Sequence, residues 1–175
     1  MKNSASQFLD ALRLQFNQLS QDTAIELAHT LSESNDIHLF GNGGSSAICS
    51  HVSVDLTKAC GLKAHAYTDP SLITCFGNDF GYENAYAEML QRYGKVGDAV
   101  IAISSRGESS NIYNLIKKSN QIGCKTIVLT GFDKNNSISQ LPANLQIHVA
   151  SENYNVVETI HQTILLSACE ELMNK

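Results

Sequence analysis

No window of this sequence is long and apolar enough to span a bilayer, and residues 1–16, MKNSASQFLDALRLQF, hold no uninterrupted apolar segment of the kind a signal peptide carries. The five cysteines, at 49, 60, 75, 124 and 169, are scattered, odd in number and without CxxC spacing. That pattern argues against a disulfide framework and predicts a reduced, cytoplasmic protein with small, mostly buried thiols. Positive charge is not in excess either. A formal net charge of −5 argues against broad nucleic-acid binding through phosphate neutralisation, so no direct nucleic-acid or membrane partner is expected. Internal repeats, low-complexity tracts and linkers are also missing, and residues 1–175 read as one domain large enough to bury a real core. With 43% apolar and 17% charged residues the composition is that of a globular chain, not a disordered one.

What is present is a regular alternation. Residues 5–33 contain no proline, and Phe8, Leu12, Phe16 and Leu19 recur at helical spacing. They predict one long helix or two shorter ones, with a break near 20–22 where Ser20 or Asp22 would cap a second segment. A strand at about 37–41 is then followed by a helix at about 44–60 and a short strand near 64–67. Asp69-Pro70 supplies a helix start, because proline suits the first turn. The run Asp98–Ile103 is a buried strand leading through Ser104–Ser110 into a helix, Lys125–Thr130 is the next strand, and Leu145–Val149 precedes a last helix from about Asn155 to Met173. Apolar, β-branched strands alternating with helices predict an α/β fold with a parallel sheet covered on both faces.

In such sheets ligands bind outside the carboxyl ends of the strands, and two polar segments fall there. GNGGSS, residues 41–46, follows the first strand, and SSRGESS, residues 104–110, follows the third. Glycines let backbone N–H groups approach an anion, the helix that follows adds its positive end, and serine hydroxyls supply neutral donors. GNGGSS lacks the third glycine of a dinucleotide fingerprint and the lysine of a Walker loop, so no nucleotide cofactor is expected. Alone it also fits a tight strand–helix turn without a ligand; paired with the serine-rich loop it reads better as a phosphate grip. Arg106 either makes a bidentate contact with phosphate or carboxylate or pairs on the surface with Glu108.

His51 and Asp55 lie one turn apart on the first helix of the sheet region and share a face. They suit a metal site, a base with its orienting partner, or a plain structural pair. Glu158 and His161 form a similar couple on the last helix. Asn78-Asp79, in CFGNDFGYEN, is read as a Gly-rich turn between two helical segments, with Asp79 either capping or bonding sugar hydroxyls.

GNGGS-x5-H, DPSLITCFGNDFGYE, GDAVIAISSRGESSN and GCKTIVLTG, in that order, resemble the sugar isomerase (SIS) domain proteins, and within them the phosphoheptose isomerase branch. The resemblance runs from about residue 5 to the C-terminus. It implies a flavodoxin-like, three-layer fold with a five-stranded parallel sheet and an N-terminal helical extension, residues 1–34, that packs in an oligomer. It further implies a cytoplasmic homotetramer with sites built between subunits. The implied reaction converts sedoheptulose 7-phosphate to a glycero-manno-heptose 7-phosphate for lipopolysaccharide or other surface-sugar synthesis, an aldose–ketose isomerisation through an enediol.

Carried over position by position, the resemblance makes Asn42, Gly43, Ser45 and Asp79 sugar contacts and Ser104, Ser105 and Ser109 phosphate contacts, with Arg106 where serine is more usual. It puts Asp55 in the place of the catalytic glutamate and His51 in that of a metal-site histidine, leaves Asp55, His51 or Glu158 to handle protons, and implies zinc near His51, Asp55, Glu158 and His161. Two departures stand out. Asp55 is one methylene shorter than the glutamate of the pattern, and Leu166 falls where a catalytic histidine belongs; a one-residue shift of register gives Leu165. Leucine cannot transfer a proton. The sequence therefore leaves two readings: a phosphoheptose isomerase-like enzyme, or a non-catalytic SIS tetramer that binds a sugar phosphate or a protein partner such as the replication initiator.

Overall fold

The computed structural model describes residues 4–174. Its N-terminal segment is two helices, α1 (Ser4–Phe16) and α2 (Gln21–Ser32). The break falls where it was expected: the Ser20 hydroxyl accepts from the Asp22 amide at 3.2 Å and caps α2. Then follow β1 (Asp36–Gly41), α3 (Gly44–Lys58), β2 (Lys63–Ala66), α4 (Pro70–Phe80), α5 (Tyr82–Tyr93), β3 (Ala99–Ser104), α6 (Ser110–Ile122), β4 (Lys125–Gly131), β5 (Leu145–Val149) and α7 (Tyr154–Met173). Asp69 caps α4 through the Leu72 amide, as the Asp-Pro pair predicts. One expectation is corrected: Asn78 and Asp79 are not the turn but the last residues of α4, and the chain turns at Gly81, which bears no Cβ and adopts φ 77°.

All neighbouring strands pair in parallel, and the five strands lie in the order β2-β1-β3-β4-β5, the flavodoxin-like arrangement. The side-chain period of two splits β3 cleanly between the faces. Ile101 and Ile103 join Leu39, Val52, Leu56, Ile164 and Leu165 under α2, α3 and α7. Val100 and Ala102 join Tyr86, Leu90, Leu115 and Ile116 under α5 and α6. This explains why the strands read as continuous apolar runs: both faces are covered.

At the N-terminal end of the sheet a buried polar group ties β1 to β3. Asp98 accepts from the backbone amides of Lys95 (2.8 Å) and Asp36 (3.2 Å) and from His38 Nε2 at 3.0 Å. With Nε2 carrying the proton, His38 Nδ1 accepts from the Tyr67 hydroxyl at 2.9 Å. Every member is partnered, so the group fixes register without leaving a stranded charge. On α7 a second buried histidine, His161, donates from Nε2 to the Thr130 carbonyl at 3.0 Å, while its Nδ1 has no partner.

Asp98→Ala removes three acceptor contacts at once and is expected to lower unfolding stability by about 3 kcal/mol, with Asp98→Asn costing less, as read from urea denaturation. Burial pushes the His161 imidazole down to about 4. Because the folded state resists a proton that the unfolded chain accepts near pH 6.5, stability is full above that pH and falls as the pH drops towards 4. The loss reaches about 3 kcal/mol, and His161→Leu should flatten this limb of the stability–pH profile.

Candidate active site

The site forms where β1 and β3 end. Gly43, at φ 54°, turns the chain from β1 into α3, a conformation an L side chain rarely adopts. Asn42 is held by a reciprocal amide pair with Asn111 in the first turn of α6, at 3.0 and 2.9 Å, and its Oδ1 also accepts from the Tyr82 hydroxyl at 2.8 Å. The pair locks the glycine loop to the serine loop. Within that second loop Ser104 donates to Ser109 at 3.1 Å, and Ser45, Ser104 and Ser105 are buried. The Ser105 hydroxyl is buried with no hydrogen-bond partner, a donor held ready at a sheet edge.

Beside these loops a cavity of about 510 Å³ opens between α3 and α7, lined by Gly44, Ala47, Ile48, His51, Asn155, Glu158, Thr159 and Gln162. Its shape depends on Gly44. A Cβ there would run into the Glu158 carboxylate, so only glycine lets that carboxylate rest against the first turn of α3. Burial raises the Glu158 pKa from its ordinary value, and the nearby Ser105 hydroxyl opposes the rise. Across the cavity His51 is bracketed, with Asp55 Oδ2 3.4 Å from its Nε2 and Gln162 Nε2 2.8 Å from its Nδ1.

The structure gathers some of the expected residues and separates others. Asn42, Gly43, Ser45, Ser104, Ser105 and Ser109 share one edge of the sheet, next to His51 and Glu158. Asp55 stands behind His51 and does not line the cavity. Arg106 lies over the Phe132 ring, 5.8 Å from its centre, and lines a separate surface cavity with Glu108, Asp133 and Glu152. Glu108 forms no ion pair with it and instead accepts from the Ser137 amide and hydroxyl. Asp79 sits exposed on α4, accepting from the Asn78 amide. His161 turns into the core towards Thr130, away from His51, because it is one residue, about 100° of helix, off the face that carries Glu158 and Gln162. Among the described residues no three His, Cys, Asp or Glu side chains are grouped to hold a metal.

Three residues escaped the sequence reading: Asn111, Tyr82 and Gln162. Asn111 follows SSRGESS directly, and Gln162 lies one turn beyond Glu158, so helical spacing offered a signal for both. Tyr82 gave none, because its bond to Asn42 spans 40 residues.

A profile of the SIS domain matches residues 2–131. The phosphoheptose isomerase of Aliarcobacter butzleri is 34% identical over 152 residues, covering 83% of this chain and 79% of the relative. The probable phosphoheptose isomerase of Thermoplasma acidophilum is 32% identical over 160 residues, covering 87% and 86%. The solved phosphoheptose isomerase of Neisseria gonorrhoeae superposes with a TM-score of 0.86 at 24% identity, covering 95% and 94% of the two chains, a likeness of fold. Motifs, topology and relatives agree, and the chain belongs to the SIS-domain family, among the relatives of the phosphoheptose isomerases.

Proposed function

We propose that this protein is a phosphoheptose isomerase-like aldose–ketose isomerase acting on a sugar phosphate of the sedoheptulose 7-phosphate type. The observation that carries the reading is that His51 and Glu158 line one cavity beside the unpartnered Ser105 hydroxyl. The phosphate would sit on the hydroxyls of Ser104, Ser105 and Ser109 and the first amides of α6, where the helix end favours negative charge. The sugar would extend past Asn42 into the cavity.

His51 then acts as the base. Its lone pair takes a proton from the carbon next to the carbonyl, the C–H electrons form the enediol double bond, and the protonated Glu158 gives its proton to the carbonyl oxygen. In the second half the imidazolium returns a proton to the neighbouring carbon, while the Glu158 carboxylate recovers one from the other hydroxyl. Asp55 supports the transient positive charge from behind. Burial shifts Glu158 towards its protonated form, the form that can donate. No step is assigned to zinc. A cytoplasmic homotetramer packed through residues 1–34, and a role in lipopolysaccharide or other surface-sugar heptose supply, belong to the same proposal. Exposed Leu9, Leu14, Phe16 and Ile25 on α1 and α2 support the packing.

Leu166 favours a second reading. It packs against the apolar core where the pattern calls for a proton-transferring histidine, which suits a tetramer that holds a sugar phosphate without changing it and serves a protein partner.

Purified protein incubated with sedoheptulose 7-phosphate, with zinc added or chelated, separates the two by NMR of the sugar signals. The isomerase reading expects product to accumulate, with Glu158→Gln lowering kcat by about 10²-fold or more and Asp55→Asn by a smaller factor. Retained sugar-phosphate binding with no turnover under either zinc condition would overturn it in favour of the second reading.

A further inference from the structure

We propose that Gln162 is a positioning residue that fixes the tautomer of His51 and yields its place to a sugar hydroxyl, an inference that rests on the isomerase reading. An ionised carboxylate only accepts hydrogen bonds, so Asp55, 3.4 Å from Nε2, draws the ring proton to that nitrogen. A neutral imidazole protonated at Nε2 has a single lone pair, at Nδ1. That lone pair is where the Gln162 amide nitrogen stands, at 2.8 Å, and an amide nitrogen only donates. The Gln162 hydrogen bond sets the tautomer, and the Asp55 carboxylate on the Nε2 side is compatible with it. An Asp–His pair elsewhere uses the same logic to leave one nitrogen free as a base.

Without Gln162 little else would hold the ring. His51 is 50% exposed and has no other hydrogen bond among the described residues. The amide also joins the two halves of the chemistry. Gln162 lies on the same face of α7 as Glu158 and lines the same cavity, so it ties the base on α3 to the helix that carries the acid. Its own Oε1 has no partner among the described residues and faces an open cavity, free to accept from a sugar hydroxyl once the sugar enters. Substrate would then replace the amide at Nδ1 and gain Gln162 as a hydrogen-bonding contact.

The test reads the ring directly. In protein labelled with 15N-histidine, at a pH where His51 is neutral, the wild type should give the pattern of a protonated Nε2 and a bare Nδ1. Gln162→Leu should move the two ring shifts together as the tautomers mix. Gln162→Glu, which offers Nδ1 only an acceptor, should protonate that nitrogen. In turnover assays both variants should lose about 10-fold or more in kcat with a smaller change in KM, the glutamate variant losing more because it blocks the lone pair. An unchanged ring pattern in Gln162→Leu, in a variant that matches the wild type in thermal unfolding, would overturn the inference. If the ring responds as expected but the wild type shows no turnover, the isomerase reading fails while the positioning of His51 stands.

Discussion

The close approach of α7 to the first turn of α3 is the constraint on which the site depends. At Gly44 the Glu158 carboxylate lies so near the α3 backbone that a Cβ there would displace it. That contact brings a partly buried acid to the end of a helix, raises its proton affinity by desolvation, and leaves it facing His51 across a cavity of about 510 Å³. The packing beneath holds the approach in place: Val52 and Leu56 on α3 share one apolar cluster with Ile164 and Leu165 on α7, over the strand residues Leu39, Ile101 and Leu129. A rigid apolar layer thus sets the spacing of two polar groups, which loops alone would hold less well.

The opposite end of the sheet does a different job. Asp98, His38 and Tyr67 form a fully partnered buried chain that joins β1, β3 and the segment after β2. None of these groups reaches the cavity between α3 and α7. The division matches the general rule for open parallel sheets, in which the carboxyl ends of the strands carry ligands and the other end carries stability.

Much of this was legible in the residues, and the exceptions have physical causes. The strands announced themselves because both faces are buried, so Ala99–Ile103 and Ile127–Leu129 read as unbroken apolar runs. GNGGSS and SSRGESS were legible as strand-to-helix loops because their glycines and serines follow the apolar strand runs directly. The end of α4 was misjudged because Asn78 and Asp79 are common turn formers, yet Gly81 three residues on offered the chain an easier place to turn. On α7, His161 drew notice as a ligand type, but the helix turns it towards Thr130 and gives the cavity to Gln162. Helical spacing links Gln162 to Glu158, but nothing in spacing links it to His51, 111 residues away. Arg106 likewise had two sensible partners on paper; it lies over Phe132, and its charge helps to hold the Glu108 carboxyl below its ordinary pKa.

The departures from the family pattern also gain a shape. Asp55 is too short to replace a longer carboxylate in the cavity, and it stands behind His51 as a support. Leu166 packs against the apolar layer, and in the isomerase reading proton transfer falls to His51 and Glu158. The most direct measurement is solvent exchange: sedoheptulose 7-phosphate is held with the protein in deuterium oxide, and deuterium entering at the carbons beside the carbonyl is followed by NMR. An enediol formed by His51 predicts deuterium incorporation by the wild type and none by His51→Asn. Incorporation that persists undiminished in His51→Asn, or none in a wild type that binds the sugar, would contradict the account.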